Sequence, residues 1–242
     1  MKRFLTIPGL YNIRDLGGLP SDVESNTAYG RFFRSDSPHT IDKTGIAQLL
    51  DQGIRTVIDL RYADECVRSP NPLSTLSDVS YYNIPLMVNG AIEHNAEDLT
   101  HLGAFYRYLL HNSQPAFAQV FNTMATQSGA TLFHCQVGKD RTGVVAAILL
   151  SLAGTSTNHI IEDYVVTSQY IAPLLPELRS HRPERINAEQ YERLLDARAE
   201  FMLEFLNEIV THHGNAHNYL LRIGVSERHI ELLRQAITNP PK

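Results

Sequence analysis

The chain has 242 residues, which is enough for one large domain or two small ones with a full hydrophobic core. Hydrophobic residues make up 43% of it, a share typical of a folded globular protein, and this argues against a disordered chain. The net charge of −5 excludes the global positive field of many nucleic-acid-binding proteins. No nucleic-acid partner is therefore expected, and any anion site must be local.

Short apolar runs alternate with helical patterns along the first two thirds of the chain. Strands are predicted over 54–60, 80–87 and 130–135, since each run is short and rich in β-branched, aromatic or other apolar residues. The first helical pattern is 40–53, with Thr40 as its cap, and the second is 104–129, read as one helix or as two with Pro115 in a new first turn. A third helix runs from Arg141 or Thr142 to Gly154, and a fourth begins at Ser156 or Thr157. This alternation predicts an α/β fold with a mostly parallel central sheet flanked by helices.

The last third of the chain is predicted to be helical throughout. Residues 187–214 form one long amphipathic pattern that ends at Gly214, and residues 226–239 form a final helix capped by Ser226. We expect a helical C-terminal addition, 156–242, packed on an α/β core, 1–155. Together they predict a single domain over 1–242.

The stretch 131–150 combines a buried strand, a polar turn and an apolar helix. The strand delivers His134 and Cys135 to its carboxyl end, and the helix begins about six residues later. Such a turn aims backbone N–H groups at one point, and a helix N-terminus adds its dipole, which together favour an anion. Open α/β sheets bind ligands at this edge. The sequence therefore predicts an anion site here, formed by the backbone of Gln136, Val137 and Gly138 and by the residues that follow.

Three side chains of this turn point to chemistry as well as binding. The positive environment favours the thiolate form of Cys135, which can attack phosphorus and hold a phosphoryl group covalently. Arg141, six residues later, can clasp two phosphoryl oxygens with its planar fork. Thr142 can donate its hydroxyl to the sulfur when the sulfur leaves. Gly138 permits a positive φ or a close approach of the ligand.

The segment HCQVGKDRTG, 134–143, resembles the signature of cysteine-dependent tyrosine and dual-specificity phosphatases. With NIRDLGG, 12–18, it is similar to the bacterial atypical tyrosine or tyrosine/phosphoinositide phosphatases. RFFRSD, 31–36, and VIDLRYADE, 57–65, resemble further elements of that family. IIEDYVVTSQY, 160–170, and YLLRIGVSERHIELLR, 219–234, resemble its C-terminal helices, so the resemblance covers nearly the whole chain. It implies a phosphotyrosine-phosphatase-like α/β fold and phosphomonoester hydrolysis that needs no metal and no cofactor.

The general acid is the least defined part of the predicted site. The chain has no tryptophan, so the usual Trp-Pro-Asp loop of tyrosine phosphatases is absent. The family resemblance points to Asp140 as the acid, with capping of the helix as the plain alternative. The acidic residues of segment 93–98, Glu93, Glu97 and Asp98, remain a second possibility.

Lys139 has two interpretations. It is either a solvated surface lysine or a positive charge above the phosphate that recognises a second phosphate, as on an inositol ring. An inward-pointing Lys139 would favour an inositide substrate.

Several other residues are predicted to support the site. Arg14 and Asp15 either brace the loop, contact substrate or form a plain ion pair. Asp59 and Arg61 end a strand near the same sheet edge, where Asp59 would support the site and Arg61 would contact substrate. Arg61 could instead pair with Glu65 four residues on. His134 is expected to orient the loop through hydrogen bonds.

The sequence therefore predicts a cysteine-dependent protein-tyrosine phosphatase, with dual specificity open. The alternatives are a phosphoinositide or other small-molecule phosphatase, and an inactive phosphate-binding module. The expected partner is a phosphorylated protein or a phosphoinositide.

Two cysteines, Cys66 and Cys135, suggest free thiols in a reducing compartment, with Cys66 inert or partly exposed. The apolar residues before Pro8 are too few for a secretory signal, and the run 144–153 is about half the length that spans a membrane. A cytoplasmic protein is expected, with unconventional export left open.

Overall fold

The described part of the chain contains one five-stranded sheet with β5 at its centre. The computed structural model describes residues 2–86, 101–184 and 186–239. The strands are β1 (Arg14–Asp15), β2 (Phe32–Ser35), β3 (Ile54–Asp59), β4 (Ser80–Asn83) and β5 (Ala130–His134). Their order is β1-β2-β5-β3-β4, and every neighbouring pair is parallel except β1 with β2. The predicted α/β class with a mostly parallel sheet is confirmed.

Strands β2, β5 and β3 end at the same edge of the sheet. Ser35 and Asp59 are both register partners of His134, the last residue of β5. Because parallel strands present their carboxyl ends together, the chain that follows each of them is brought to one place. This edge carries the candidate site.

Alternate residues of the strands build two cores, one on each face of the sheet. Phe32 and Phe133 belong to the larger core, whereas their neighbours Phe33 and Leu132 belong to the smaller one. This is the period of two expected when successive side chains of a strand point to opposite faces.

Five α-helices accompany the sheet in the described part of residues 1–155. They are α1 (Lys43–Asp51), α2 (Ala63–Arg68), α3 (Leu102–Asn112), α4 (Gln114–Thr126) and α5 (Asp140–Leu152), with 3-10 turns at Pro38–Thr40 and Pro72–Thr75. Helix α5 is buried almost all round, because it lies between the sheet and the C-terminal helices. Among the described helices, none is long and apolar enough to cross a bilayer.

The C-terminal addition consists of further helices. They are α6 (Thr157–Val165), α7 (Thr167–Tyr170), α8 (Leu175–Ser180), α9 (Ala188–Leu195), α10 (Ala199–His213), α11 (Ala216–Arg222) and α12 (Glu227–Thr238), with a 3-10 turn at Ala172–Leu174. Helix α10 packs against α3 and α6, α12 against α4 and α5, and α11 against α5. The larger core runs from the N-terminal segment to Ile237. This shared core supports the prediction of a single domain.

Two helix predictions hold in detail. The pattern 104–129 is two helices, and Pro115 lies in the first turn of the second, where its missing N–H costs nothing. Ser226 caps the final helix by accepting a hydrogen bond from the His229 N–H.

Other boundaries differ from the predictions. The cap of α1 is Asp42 and not Thr40, since the Asp42 carboxylate accepts from the Gly45 N–H at 2.7 Å. Strand β4 ends at Asn83, whereas the apolar run had predicted a strand to residue 87. Helix α5 begins at Asp140, whereas the predicted start was Arg141 or Thr142. Strands β1 and β2 were not predicted.

The long pattern 187–214 is broken into α9 and α10. The Ala197 N–H bonds to the side chains of Asp196 and Ser168, each at 2.9 Å, instead of continuing the helical ladder. The carbonyls of Leu194 and Asp196 accept hydrogen bonds from Lys139. Side-chain partners thus replace the backbone bonds that a continuous helix would need.

Candidate active site

The turn between β5 and α5 holds its carbonyl groups outward. We call residues 135–141 the phosphate loop. His134 Nδ1 lies 3.0 Å from the Cys135 carbonyl, and the Ser37 N–H donates to the Gln136 carbonyl at 2.9 Å. The Asn12 amide donates to the carbonyls of Val137 at 2.9 Å and Gly138 at 3.1 Å.

With the carbonyls turned outward, the backbone N–H groups of the loop are left toward its interior. No described residue accepts a hydrogen bond from an N–H of 136–141. Unpaired backbone donors at a helix N-terminus form an anion site. Cys135 lies at the base of this arrangement and is 2% exposed.

Gly138 is needed for the shape of the loop. Its φ is +70°, in the left-handed region, and a Cβ there would lie 2.4 Å from the Ser35 carbonyl oxygen. The loop therefore packs directly on the end of β2, and any larger residue would push the two apart.

Arg141 is fixed by a carboxylate from α2. Its Nη1 and Nη2 lie 2.6 and 2.8 Å from the two Glu65 oxygens, a bidentate pair. Burial alone would raise the pKa of the Glu65 carboxyl, but Arg141 outweighs burial and holds that pKa below its usual range. The same carboxylate raises the pKa of the Arg141 guanidinium, although burial opposes this, so Arg141 stays charged.

One edge of the Arg141 guanidinium remains available. The Leu60 carbonyl takes a further, longer bond from Nη1 at 3.4 Å. Of the five guanidinium N–H groups, the Nε–H and one Nη2–H then have no acceptor among the described residues. Those two donors form a side-on fork of the kind that clasps two oxygens of one phosphoryl group.

Asp140 opens helix α5 and is hydrogen-bonded to a buried tyrosine. The Tyr106 hydroxyl donates to Asp140 Oδ1 at 2.6 Å, and the Tyr164 hydroxyl lies 2.6 Å from that of Tyr106. The Asp140 side chain keeps 24% of its surface exposed. A carboxyl group with one oxygen held and some surface open could exchange a proton with a bound substrate.

A second set of contacts joins the phosphate loop to helix α6. Asp163, buried on α6, pairs with Arg3, Arg14 and Arg34. Arg34 donates onward to the Gly138 carbonyl at 2.8 Å. Arg14 donates to the side-chain oxygen of Asn12 at 2.5 Å, and the Asn12 amide holds the loop.

Burial opposes the charge of Asp163, but its three arginines prevail. They hold the pKa of the carboxyl well below its usual range. Arg14 is fully buried and bonds to Asp163, Asn12 and Thr167, which leaves no surface for a substrate. Of the three roles predicted for Arg14, its position fits bracing the loop and does not support substrate contact.

Asp15 is also turned away from the loop. It is 2% exposed and accepts from the N–H groups of Gly17 at 2.8 Å and Gly30 at 2.7 Å. Burial raises the pKa of its carboxyl, and these two bonds offset part of the rise. It forms no ion pair with Arg14, so neither substrate contact nor that pairing fits its position.

Asp59 and Arg61 lie at the predicted sheet edge but bind each other. Arg61 Nε and Nη2 donate to the Asp59 carboxylate at 2.9 and 2.7 Å, and both side chains are fully buried. The predicted pairing of Arg61 with Glu65 is wrong, because Glu65 is bound to Arg141. Substrate contact by Arg61 likewise does not fit its full burial.

His134 is buried beside this pair. Its Nε2 lies 3.0 Å from Nδ2 of the Asn71 side chain. The Oδ1 of the same side chain accepts a hydrogen bond from the Leu73 N–H. Burial lowers the pKa of the ring, so a neutral imidazole with the proton on Nδ1 donates to the Cys135 carbonyl. This placement fits the supporting role predicted for His134.

Lys139 takes neither of its predicted positions. It is 1% exposed, and its ammonium donates to the carbonyls of Leu194 and Asp196. It is thus neither a solvated lysine nor a charge above the loop, but a link between the phosphate loop and the segment joining α9 to α10.

Thr142 and Cys66 complete the predicted set. The Thr142 hydroxyl is buried and has no hydrogen-bond partner within the described residues. Cys66 is a partly exposed free thiol whose Sγ lies 3.6 Å from the Asp59 carboxylate. Burial and the Asp59 charge raise the pKa of this thiol, which makes it a poor nucleophile.

Four residues that fix the loop were not predicted in these roles: Glu65, Asn12 and Tyr106 by direct contact, and Asp163 through Arg34. Glu65 and Asn12 stand in quoted family elements, but their partners lie 76 and 125 residues away. Glu93, Glu97 and Asp98 lie outside the described residues. Within the described ranges, no group of three or more His, Cys, Asp or Glu side chains could hold a metal ion.

Comparison with known proteins gives consistent results. A tyrosine-protein phosphatase of Nostoc commune is 35% identical over 206 residues, covering 80% of this chain and 68% of that protein. The triple specificity protein phosphatase PtpB of Mycobacterium tuberculosis is 26% identical, covering 94% and 96%. The solved structure of P. aeruginosa TpbA covers 60% of this chain and 80% of its own, with a TM-score of 0.37 and 17% identity, a likeness too distant to say anything of function. The model of the tyrosine phosphatase family matches residues 5–239, so the chain belongs to the tyrosine phosphatase family and is a phosphatase.

Proposed function

We propose that this phosphatase hydrolyses phosphotyrosine in proteins through a phosphocysteine intermediate on Cys135. The observation that carries the proposal is the phosphate loop, whose backbone N–H groups at 136–141 have no described acceptor and surround a buried cysteine. Arg141, held by Glu65, adds a fixed positive charge beside it. This is a preorganised site for a phosphoryl group whose negative charge is spread over three oxygens during transfer.

In the first step the Cys135 thiolate attacks phosphorus. A sulfur–phosphorus bond forms as the bond from phosphorus to the leaving oxygen breaks, and that oxygen takes a proton from Asp140. The loop N–H groups and the free edge of Arg141 hold the three remaining phosphoryl oxygens. Because these donors are fixed before substrate arrives, they cost little reorganisation during the reaction.

In the second step water attacks the phosphocysteine. Asp140, now a carboxylate, takes a proton from the water, the sulfur–phosphorus bond breaks, and inorganic phosphate and the Cys135 thiolate are released. Thr142 is the residue we assign to stabilise the departing sulfur. Its hydroxyl is buried without a described partner, so a hydrogen bond to sulfur would satisfy it.

Two observations support phosphotyrosine as the substrate. Cys135 is 2% exposed, so the phosphate of a substrate must reach inward from the surface to meet its sulfur. A phosphate on a tyrosine ring reaches further than one on the shorter side chain of serine or threonine. Lys139 bonds to backbone carbonyls of the C-terminal addition, so it is not free to recognise a second phosphate on an inositol ring.

A phosphoinositide phosphatase remains the second candidate function, because the sequence places a lysine, Lys139, in the phosphate loop, where it could recognise a second phosphate. The cytoplasmic location also stays a prediction, supported by two free thiols.

The test is a phosphate-release assay on the wild type and on Cys135→Ser, without added metal. One arm uses a phosphotyrosine peptide, and the other uses phosphoinositides in mixed micelles. We expect turnover of the peptide by the wild type, none by Cys135→Ser, and slower release from phosphoinositides. Cys66→Ser is the matched control and should stay active.

Three results would overturn parts of the proposal. Equal activity of Cys135→Ser and wild type would remove the covalent mechanism. Faster release from phosphoinositides would reassign the substrate. Release from neither substrate would leave the substrate class unassigned to either and overturn the phosphotyrosine proposal.

A further inference from the structure

We infer that Tyr106 and Tyr164 are positioning residues for Asp140, and that they fix which of its two oxygens delivers the proton. The inference rests on the proposed function, since it needs Asp140 to be the general acid. It concerns Tyr106, which stands outside the quoted motifs, and Tyr164, which lies in the family-like segment 160–170. They come from α3 and α6.

The three groups form a chain of short hydrogen bonds. The distance is 2.6 Å from Tyr106 Oη to Asp140 Oδ1, and 2.6 Å from Tyr106 Oη to Tyr164 Oη. Both tyrosines are buried, at 0% and 1% exposure, and their rings meet edge to face with centroids 6.0 Å apart. Packing thus holds both hydroxyls where they are.

The protons of this chain can be assigned. Burial raises the pKa of both phenols well above the ordinary value, so each hydroxyl keeps its single proton. The Tyr106 hydroxyl uses its single proton in the hydrogen bond to Asp140 Oδ1. The hydrogen bond between the two phenols must therefore be donated by Tyr164. The direction is therefore Tyr164 to Tyr106 to Asp140.

This order distinguishes the two oxygens of Asp140. Oδ1 accepts from Tyr106 and also lies 3.5 Å from the Lys139 ammonium, whereas no described residue donates to Oδ2. The acid proton therefore sits on Oδ2, the oxygen that accepts from no described residue. Without Tyr106 the carboxyl group could turn and offer either oxygen.

The chain also supports the charge that forms on Asp140. When the proton leaves Oδ2 for the leaving oxygen, the new carboxylate keeps the Tyr106 hydrogen bond and lies in the first turn of α5. A charge-assisted hydrogen bond and the positive end of a helix dipole both stabilise an anion there. Tyr164, by donating to Tyr106, strengthens the Tyr106 bond in turn.

The test compares two substrates that differ in their need for the acid. Phosphotyrosine has a poor leaving group that must be protonated, whereas an aryl phosphate with a strongly acidic phenol leaves without help. For Tyr106→Phe we expect kcat/KM on phosphotyrosine, which reports the steps up to the phosphocysteine, to fall about tenfold or more, the effect of losing a hydrogen bond to a charged group. Its kcat/KM on the acidic aryl phosphate should stay within about twofold, because that step needs no acid. Tyr164→Phe should show the same selectivity with a smaller loss.

Tyr219→Phe is the matched control. Tyr219 is buried as well, and its hydroxyl donates to the Leu110 carbonyl at 3.0 Å, away from the phosphate loop. Its loss should affect both substrates equally. Equal slowing of both substrates by Tyr106→Phe, or no slowing of either, would overturn the inference. If Tyr106→Phe does not fold, Tyr164→Phe is measured in its place and the same two results would overturn the inference.

Two further variants separate this inference from the proposed function. Asp140→Asn should be selective in the same way, and adding Tyr106→Phe to it should cause no further selective loss. A non-selective Asp140→Asn would remove both the acid role and the positioning role while leaving Cys135 in place. Activity in Cys135→Ser would overturn the mechanism as a whole.

Discussion

Glu65 and Arg141 form a bidentate ion pair across 76 residues of sequence, with nitrogen–oxygen distances of 2.6 and 2.8 Å. Glu65 also accepts from the Tyr62 N–H at 2.8 Å, which closes the first turn of α2. One carboxylate therefore fixes both the start of a helix and the orientation of the arginine beside Cys135.

Removing the charge of Glu65 should lower activity more than stability. In Glu65→Gln the side chain still reaches the Tyr62 N–H, but it no longer holds Arg141 as an ion pair. We expect kcat/KM for phosphotyrosine to fall about 10- to 100-fold, since small misplacements of a positioning group are costly. The free energy of unfolding should fall by only about 1–3 kcal/mol. Steady-state kinetics and urea unfolding measure the two effects.

Glu189→Gln is the control for this prediction. Glu189 pairs with Arg193 at 2.7 Å on the exposed surface of α9, so its loss should change neither quantity appreciably. Wild-type kinetics in Glu65→Gln would mean that Arg141 keeps its place without the carboxylate.

Gly138→Ala should disrupt the phosphate loop. A left-handed φ costs a residue with a Cβ about 1–2 kcal/mol, and here the Cβ would also lie 2.4 Å from backbone oxygen of Ser35. We expect a loss of stability beyond the φ cost alone, together with weaker inhibition by inorganic phosphate. Urea unfolding and phosphate inhibition constants test this.

Gly53→Ala separates the two costs. Gly53 has a similar φ of +80°, but nothing lies within 4 Å of a Cβ placed there. This variant should lose about 1–2 kcal/mol and keep its phosphate affinity. Equal losses in the two variants would show that the contact with β2 contributes nothing.

Asp163→Asn should destabilise the protein strongly. It leaves three arginines without their buried carboxylate, and removing one partner of a buried ion pair costs about 3–5 kcal/mol. Asp64→Asn is the control, because Asp64 pairs with Arg68 on the exposed surface of α2. Its loss should cost less than about 1 kcal/mol.

The same variant should change how stability depends on pH. The arginines hold the folded pKa of Asp163 far below that of the unfolded chain, despite burial. The unfolded carboxyl takes up a proton below about pH 4, whereas the folded one does not, so this stabilisation is present above pH 4 and lost in acid. Between about pH 5 and 3, the wild type should lose more unfolding free energy than Asp163→Asn. If the unfolding free energies of the wild type and Asp163→Asn fell in parallel over this pH range, the pairing of Asp163 with its arginines would be contradicted.

The central part of the site could be predicted because it is local. Cys135 and Arg141 follow one another on a single strand, turn and helix, and Gly138 between them has the positive φ expected of a glycine. The spacing of residue types along that segment is enough to predict an anion site. No distant part of the chain is needed to see it.

The contacts that hold the loop could not be predicted, because they depend on the packing of distant segments. Helical spacing suggested Arg61 with Glu65, yet the end of β3 brings Arg61 onto Asp59, and α2 turns Glu65 to Arg141. Asp163 meets Arg14 from 149 residues away. Sequence spacing carries no information on such pairs.

Lys139 tests the choice of substrate directly. Its ammonium donates to the carbonyls of Leu194 and Asp196 and its side chain is buried, so its charge serves the junction of α9 and α10. Lys139→Met keeps the length of the stem and removes the charge, leaving two carbonyls unpaired. We expect a loss of about 1–3 kcal/mol in unfolding free energy.

The ratio of the rates on phosphotyrosine and on a bisphosphorylated inositide should be nearly unchanged in Lys139→Met, because the ammonium touches neither phosphate. Lys43→Met, at an exposed lysine of α1, controls for the loss of one surface charge and should leave stability as it was. A selective loss of inositide turnover in Lys139→Met would mean that the lysine leaves its carbonyls to bind a second phosphate. The phosphoinositide would then replace phosphotyrosine as the better assignment.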